Sequence, residues 1–375
     1  MSDDEADPEL LALLRQHLMG AQPDPSVPET HVLDGAKYVT DNSIDVALDM
    51  RGTKAAATMI YEQMQKKKYC TSTWSSHELH PKTKDGKTVA FIFTMDLLNF
   101  SFWSDRSAEE RFAIEYKGKR WTGYWSLVAA LNRALDEDIP ITSSDYWQSE
   151  DELTEEKMAY IFRSATDEEM PMLKERLACL REAGQVLYEK YNCSFLNCVE
   201  AADQSAASLV NILARDFSCF RDEVRFEGRK TVRILKRAQI LVADLWACFD
   251  GFDYGEFYDI DKITMFADYR IPQILNSLGC MQYSPLLETT LRKKKLIETG
   301  HSWEVQIRGC SIWCVELIRK EILRRHPDTE INAILIDFFL YDTAKEQEKI
   351  DQEKVDLGDA DEGALPHHRT RAIWY

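Results

Sequence analysis

Along this 375-residue chain the apolar positions recur mostly at three- and four-residue spacing, the period that lays a stripe along a helix. Between residues 43 and 68, Val46, Met50, Ala57, Ile60 and Met64 return on one face, and a single helix is predicted over the whole stretch. Further helical patterns fill 125–135, 151–164, 171–191, 203–217, 235–249, 271–280, 309–325 and 330–347. Two stretches alternate instead. Residues 112–124 alternate around Lys117-Gly118-Lys119, and residues 224–232 do so around Gly228, each the signature of a β-hairpin. Ile263, Phe266 and Ala267 fall at helical spacing, and Pro272 suits the first turn of a following helix, where its missing N–H costs nothing. Asp268 is therefore expected in a short corner between two helices, near the positive end of the second dipole, where the ordinary role of an aspartate is an N-cap.

These patterns predict a mainly α fold with small β-hairpin accessories, without a fixed-period repeat and without a linker between globular halves. The expected organisation is an acidic disordered arm over 1–30, a helical body over 31–345, an acidic mobile segment over 346–365, and a tail over 366–375 whose Ile373-Trp374-Tyr375 end docks back on the body. The Gly- and Asp-rich stretch 250–256 reads as a surface loop.

With 45% hydrophobic residues the chain has material for a large core. The net charge of −18 is concentrated, with −6 in residues 1–30 and −5 in 343–365, which leaves −7 for the rest. No basic stripe of the kind that neutralises duplex phosphates emerges, and the clusters at 66–68 and 292–295 read as solvated faces. No apolar run approaches a membrane span, and the acidic first residues are unlike a secretory signal. Nine cysteines without CxxC pairs point to reduced thiols. The expectation is an intracellular monomer, cytoplasmic with the nucleus left open, that contacts no membrane and forms no stable nucleic-acid complex.

Several chemistries lose their main support. There is no GxxxxGK[ST] or GxGxxG phosphate loop, no GxSxG elbow and no HExxH. His77 and His80 are spaced i,i+3 with no further ligand set, so no metal and no cofactor is expected, and activity should survive EDTA. Cys310 and Cys314 sit among apolar neighbours and read as inert core thiols. Gly309 beside Ser311 admits a close approach by another backbone or a ligand, while Arg308 and Glu316 suit solvated helix positions.

Two segments mix rings with polar groups. In 91–103, Asp96 and Asn99 stand among Phe91, Phe93, Phe100, Phe102 and Trp103; if buried they need partners, and polar groups among rings suit a planar heterocycle. In 330–342 the pattern is apolar nearly all round, yet Asp337 and Asp342 lie inside it, sharing faces with Tyr341 and Phe338. Each needs a cation or several donors: a base carrying N–H donors would serve, and so would a structural ion pair with Lys236 or Arg270.

Taken together, the runs 93–103, 123–127, 236–244 (Lys236-Arg237-Ala238-Gln239-Ile240-Leu241-Val242-Ala243-Asp244), 266–273 (Phe266-Ala267-Asp268-Tyr269-Arg270-Ile271-Pro272-Gln273), 308–316 and 336–342 resemble, in the same order, the queuosine salvage family of queuosine 5′-phosphate N-glycosidases. The resemblance covers about residue 35 to 375. It implies hydrolysis of the N-glycosidic bond of queuosine 5′-monophosphate, release of queuine for reuse in tRNA, and a single compact helical domain like that of helix-hairpin-helix DNA glycosylases. It implies Asp268 as the catalytic carboxylate, with Lys236 orienting it or meeting the 5′-phosphate. Asp337, Phe338, Asp342 and His77 are implied as contacts to the base and its side-chain amine, and Ala267, Asn99, Phe100 and Arg270 as further substrate contacts. Some relatives carry Tyr at the position of Phe338, so only stacking is expected there. The chain lacks a Gly-rich hairpin before Asp268, which favours a mononucleotide over duplex DNA. A glycosylase for another nucleotide or nucleic-acid base, and a non-enzymatic helical RNA-binding or scaffold protein, are the alternatives.

Overall fold

The computed structural model describes residues 27–356 and 365–375; the expected acidic arm up to residue 26 and residues 357–364 of the acidic segment lie outside the described residues. Helices dominate, and three two-stranded antiparallel sheets decorate them. The chain begins with α1 (Val32–Asp41), β1 (Val46–Leu48), α2 (Met50–Lys67), α3 (Ser72–Ser76) and α4 (Gly86–Leu97). A hairpin of β2 (Ala113–Tyr116) and β3 (Lys119–Thr122) feeds α5 (Tyr124–Asp136). Five helices follow: α6 (Ser144–Gln148), α7 (Glu155–Ile161), α8 (Leu173–Lys190), α9 (Leu196–Ala201) and α10 (Ala206–Asp216). The hairpin β4 (Glu223–Phe226) and β5 (Lys230–Arg233) leads into α11 (Lys236–Cys248), and after a long irregular stretch come α12 (Arg270–Ser277), β6 (Met281–Tyr283), α13 (Pro285–Arg292), α14 (Ser302–Arg325) and α15 (Ala333–Asp356). None of the helices is long and apolar enough to cross a membrane, among the described residues.

Both expected hairpins form, with Lys117-Gly118 and Glu227-Gly228 at positive φ in their turns, as the right-handed strand twist requires. The helix predicted over 43–68 starts later. Val46–Leu48 is a strand paired with Met281–Tyr283, and α2 begins only after Asp49, whose carboxylate accepts from the backbone N–H groups of Arg51 and Gly52 at 2.7 and 2.9 Å. A distant strand partner and a local cap override the apolar period there.

The middle of the fold is α14, which packs on α1, α2, α12 and α15. Gly309 explains the closeness of α1: a Cβ at that position would stand 2.7 Å from Val39 Cγ1. Arg308, expected at a solvated position, is instead 1% exposed. It pairs with Asp222 at 2.6 Å and Glu304 at 3.1 Å, donates to the Ala267 carbonyl at 2.8 Å, and lies over the Tyr375 ring at 4.0 Å. One guanidinium thus ties α14, the entry to β4, the segment before Asp268 and the chain's last residues together. Residues 365–375 lie along the body: Leu296 bridges Arg369, the Trp103 indole N–H donates to the Thr370 carbonyl at 2.8 Å, and the Ser101 N–H donates to Tyr375 O at 2.9 Å.

Candidate active site

The segment before Asp268 is not the helix that its spacing predicts. After a short 3-10 turn at Ile260–Lys262, residues 263–267 run in an irregular path, because side chains from three other elements take their backbone groups. The Thr264 N–H donates to Gln239 Oε1 at 3.0 Å, the Phe266 N–H to Asp337 Oδ2 at 2.9 Å, and the Ala267 carbonyl accepts from Arg308. These bonds satisfy a buried strip of chain without regular structure. They also fix the corner at which Asp268 stands. Its Oδ1 accepts from the Arg270 and Ile271 N–H groups at 2.7 and 3.0 Å, which caps α12, so the other carboxylate oxygen is the one that can face a reactant.

Two further ionisable side chains stand at that corner. Lys236, at the first position of α11, is 5% exposed; burial lowers its pKa, and the charges of Asp268, Asp96 and Asp337 pull it back up against Arg237. Asp337, on α15, is also 5% exposed, and burial together with the charge of Asp268 raises its carboxyl well above the usual range, opposed by the Phe266 N–H and Lys236. Asp337 therefore stands beside Asp268 and Lys236 with its protonated form favoured more than in a free aspartate. Farther along α15, Asp342 accepts from the Tyr69 hydroxyl at 2.6 Å, so its partner is a phenol and not Lys236 or Arg270. Burial raises its pKa as well.

All of these groups face one cavity of about 620 Å³. Its lining holds two sets of residues. One set is of aromatic rings and carboxyls: Trp74, His77, Tyr124, Trp125, Asp244, Phe338 and Asp342. Within it His77 stacks on Trp125 at 3.3 Å between ring centroids and Trp74 on His80 at 3.8 Å. His80 is held by the Trp74 carbonyl at 2.9 Å and the Tyr124 hydroxyl at 2.8 Å, and burial drives its pKa down to about 3, so it stays neutral. The other set is basic, with Arg106, Arg111, Arg270, Lys294 and Arg369, the last paired with Asp105, and His367 and Tyr375 of the final segment also line the cavity. Among the described residues no group of His, Cys, Asp and Glu is arranged to hold a metal ion.

Comparison with known proteins bears on what such a cavity serves. Residues 79–375 match the family model described as "Queuosine salvage protein". A Schizosaccharomyces pombe protein named queuosine 5′-phosphate N-glycosylase/hydrolase is 46% identical over 353 residues, covering 92% of this chain and all of that protein. The chain belongs to the queuosine salvage family. Proteins of the same name from Mus musculus and from Sphaerobacter thermophilus are 42% and 38% identical, over 91% and 85% of this chain and 98% and 91% of their own lengths. Membership in this family sets aside the non-enzymatic scaffold reading.

Of the residues singled out from sequence, Asp268, Lys236, His77, Asn99, Asp337, Phe338, Asp342 and Arg270 converge on the one cavity. Phe100 and Ala267 do not line it. Phe100 is fully buried between the guanidinium groups of Arg176 and Arg237, at 4.3 and 4.9 Å from its ring centre, and Ala267 is fully buried with its carbonyl given to Arg308. Sequence reasoning missed Trp74, Trp125, Tyr124 and Asp244 in the aromatic set, and Lys294, taken for a member of a solvated cluster, in the basic set. Spacing carries a signal for Asp244, which falls two turns from Lys236 on one helix. For the aromatic residues there is none, because rings in a wall and rings in a core have the same pattern.

Proposed function

We propose that this cavity hydrolyses the N-glycosidic bond of queuosine 5′-monophosphate, releasing queuine for salvage into tRNA and leaving ribose 5-phosphate. One observation carries the reading: a carboxylate pinned through one oxygen by two backbone N–H groups stands beside a buried lysine in one cavity that aromatic rings, carboxyls and several cations line together. Departure of the base builds positive charge at C1′, and Asp268 is the carboxylate that steadies or attacks it. Its cap bonds keep it oriented without reorganisation during the reaction. Lys236 holds that carboxylate in place by charge.

The base belongs with the aromatic set. A 7-deazapurine has carbon at position 7 and cannot be protonated there, so the leaving base must be steadied through its edge. Asp337, whose protonated form burial favours, offers that edge an acceptor and, when protonated, a donor, while Phe338 stacks and Asp342, His77 and Asn99 flank the base and its side-chain amine. The 5′-phosphate belongs with the basic set, at Arg270, Lys294 and Arg369. We place the fold with helix-hairpin-helix DNA glycosylases on the support of an aspartate that opens a helix after a buried non-helical strip. We take the enzyme to act as a cytoplasmic monomer on a free nucleotide and not on duplex, in keeping with its net charge of −18.

Incubating purified protein with queuosine 5′-monophosphate, queuosine and GMP, with base release followed by chromatography, tests the reading. Release is expected fastest from the modified nucleotide, slower from the nucleoside and not from GMP. Release from none of the three refutes it.

A further inference from the structure

Lys236 and Asp268 come from separate segments, and their backbones are tied together behind the cavity. Asp222, just ahead of β4, receives the N–H groups of Ile234, Leu235 and Lys236 in turn: its carbonyl accepts the first two at 3.0 and 3.3 Å, and its Oδ2 accepts the third at 3.3 Å. The same carboxylate meets the Arg308 guanidinium, at 2.6 Å through Oδ2 and 3.1 Å through Oδ1. Arg308 Nε then donates to the carbonyl of Ala267, the residue bonded to Asp268, at 2.8 Å. A continuous chain of hydrogen bonds thus runs from the first backbone N–H of α11 to the peptide that carries Asp268. It also holds a strained joint. Leu235 lies at φ 51°, in the left-handed region that a residue with a Cβ disfavours, and this joint turns the chain from β5 into α11 with Lys236 at the first position. Glu304 at 3.1 Å and the Tyr375 ring at 4.0 Å hold the guanidinium in one orientation.

We propose that Asp222 and Arg308 are a positioning pair that sets the separation between the Lys236 side chain and the Asp268 carboxylate, an inference that rests on the glycosidase reading. The cap bonds from Arg270 and Ile271 orient Asp268 on α12, but they do not fix where that corner stands against α11. Two ties do so. Gln239 of α11 holds the strip at Thr264, and the Asp222–Arg308 bridge holds it at Ala267, next to the carboxylate itself. Asp222 is 4% and Arg308 1% exposed, and neither lines the cavity. Neither meets the substrate, so their effect on the reaction passes through the two side chains they place. The bridge needs a planar guanidinium, which gives one edge to a carboxylate and Nε to a carbonyl at a fixed angle; an ammonium is a single point.

The test uses the full chain, queuosine 5′-monophosphate and Arg308→Lys, which keeps a cation for Asp222 and Glu304 and cannot reach Ala267 at the same time. Its kcat should fall by about thirtyfold, the scale of a misplacement of somewhat under about 1 Å, while KM changes by no more than about twofold. In an Asp268→Asn background the same substitution should cost no more than about threefold further, because the carboxylate it places is already gone. A role confined to stability would lower turnover by the same factor in both backgrounds. Equal factors, or wild-type kcat in Arg308→Lys, would overturn the proposal. If Arg308→Lys does not fold, Asp222→Asn takes its place: its single side-chain oxygen cannot serve Lys236 and both guanidinium N–H groups, and its amide turns donors on a group that has only donors, so the same loss and the same non-additivity are required. If the wild type releases no base, the glycosidase reading fails separately, and crystal structures of wild type and variant decide the positioning claim. The separation of Lys236 Nζ and the Asp268 carboxylate must then differ by about 0.5 Å or more, and an unchanged separation refutes it.

Discussion

Replacing Asp268 by Asn separates the cap that this side chain makes from the catalytic role proposed for it. As a cap, Asp268 accepts from the Arg270 and Ile271 N–H groups through Oδ1 alone, and an Asn carbonyl oxygen can accept the same two bonds. Asp and Asn are nearly equal caps, so Asp268→Asn should change stability by only about a few tenths of a kcal/mol. Asp268→Ala loses both bonds and should cost about 1 kcal/mol, a drop of about 1–2 °C in the melting temperature of a chain this long. The catalytic effect is much larger. At a separation of about 4 Å and an effective dielectric of about 20, a carboxylate steadies a full positive charge by about 4 kcal/mol, close to a thousandfold in rate. Both variants should therefore lose about three orders of magnitude in kcat, although only the Ala variant melts earlier. Base release under saturating queuosine 5′-monophosphate and calorimetric melting of the same preparations read the two effects separately. Near wild-type turnover by Asp268→Asn would refute the catalytic assignment, and a melting temperature for it as low as that of the Ala variant would refute the account of the cap.

Three other substitutions follow from the packing and the cavity. Arg308→Met leaves Asp222 and Glu304 buried without their cation, and should cost about 3–5 kcal/mol in chemical denaturation, the range for breaking a buried pair. Gly309→Val drives a side chain into Val39, which a Cβ at that position already approaches to 2.7 Å; the midpoint of urea unfolding should fall by the equivalent of about 1–3 kcal/mol. Arg369→Ala removes one cation from the basic set and should raise KM for the nucleotide by about tenfold while leaving KM for the nucleoside unchanged; an equal rise for both would move the phosphate elsewhere.

The helices α5, α8 and α10 and both hairpins were legible because their apolar residues keep a local period, and α11, buried on nearly every side, because its apolar run is long and holds no glycine or proline. The pattern fails where long-range partners set the backbone. Val46–Leu48 sits in a helical pattern and is a strand because Met281–Tyr283 lies beside it. Ile263 to Ala267 has helical spacing and no helix, because Gln239, Asp337 and Arg308 take its N–H and carbonyl groups. Arg308 itself looks like a surface residue until Asp222, 86 positions away, closes on it.

The site divides in the same way. By itself the sequence determined the chemistry available: an aspartate opening a helix, acids inside an apolar run, and the order of motifs that marks the family. Residue type and spacing along one helix are local properties, and local properties survive in a linear string. Only the tertiary structure decided that Asp337 is buried beside Asp268 with its carboxyl held well above the usual range, that Asp342 answers to Tyr69, and that Asp96 and Asp244 are buried on two helices that pack together. It alone decided that the last eleven residues form part of the cavity wall. Those outcomes depend on burial and on which charges share a low-dielectric space, and both are set by distances between segments that the chain keeps far apart.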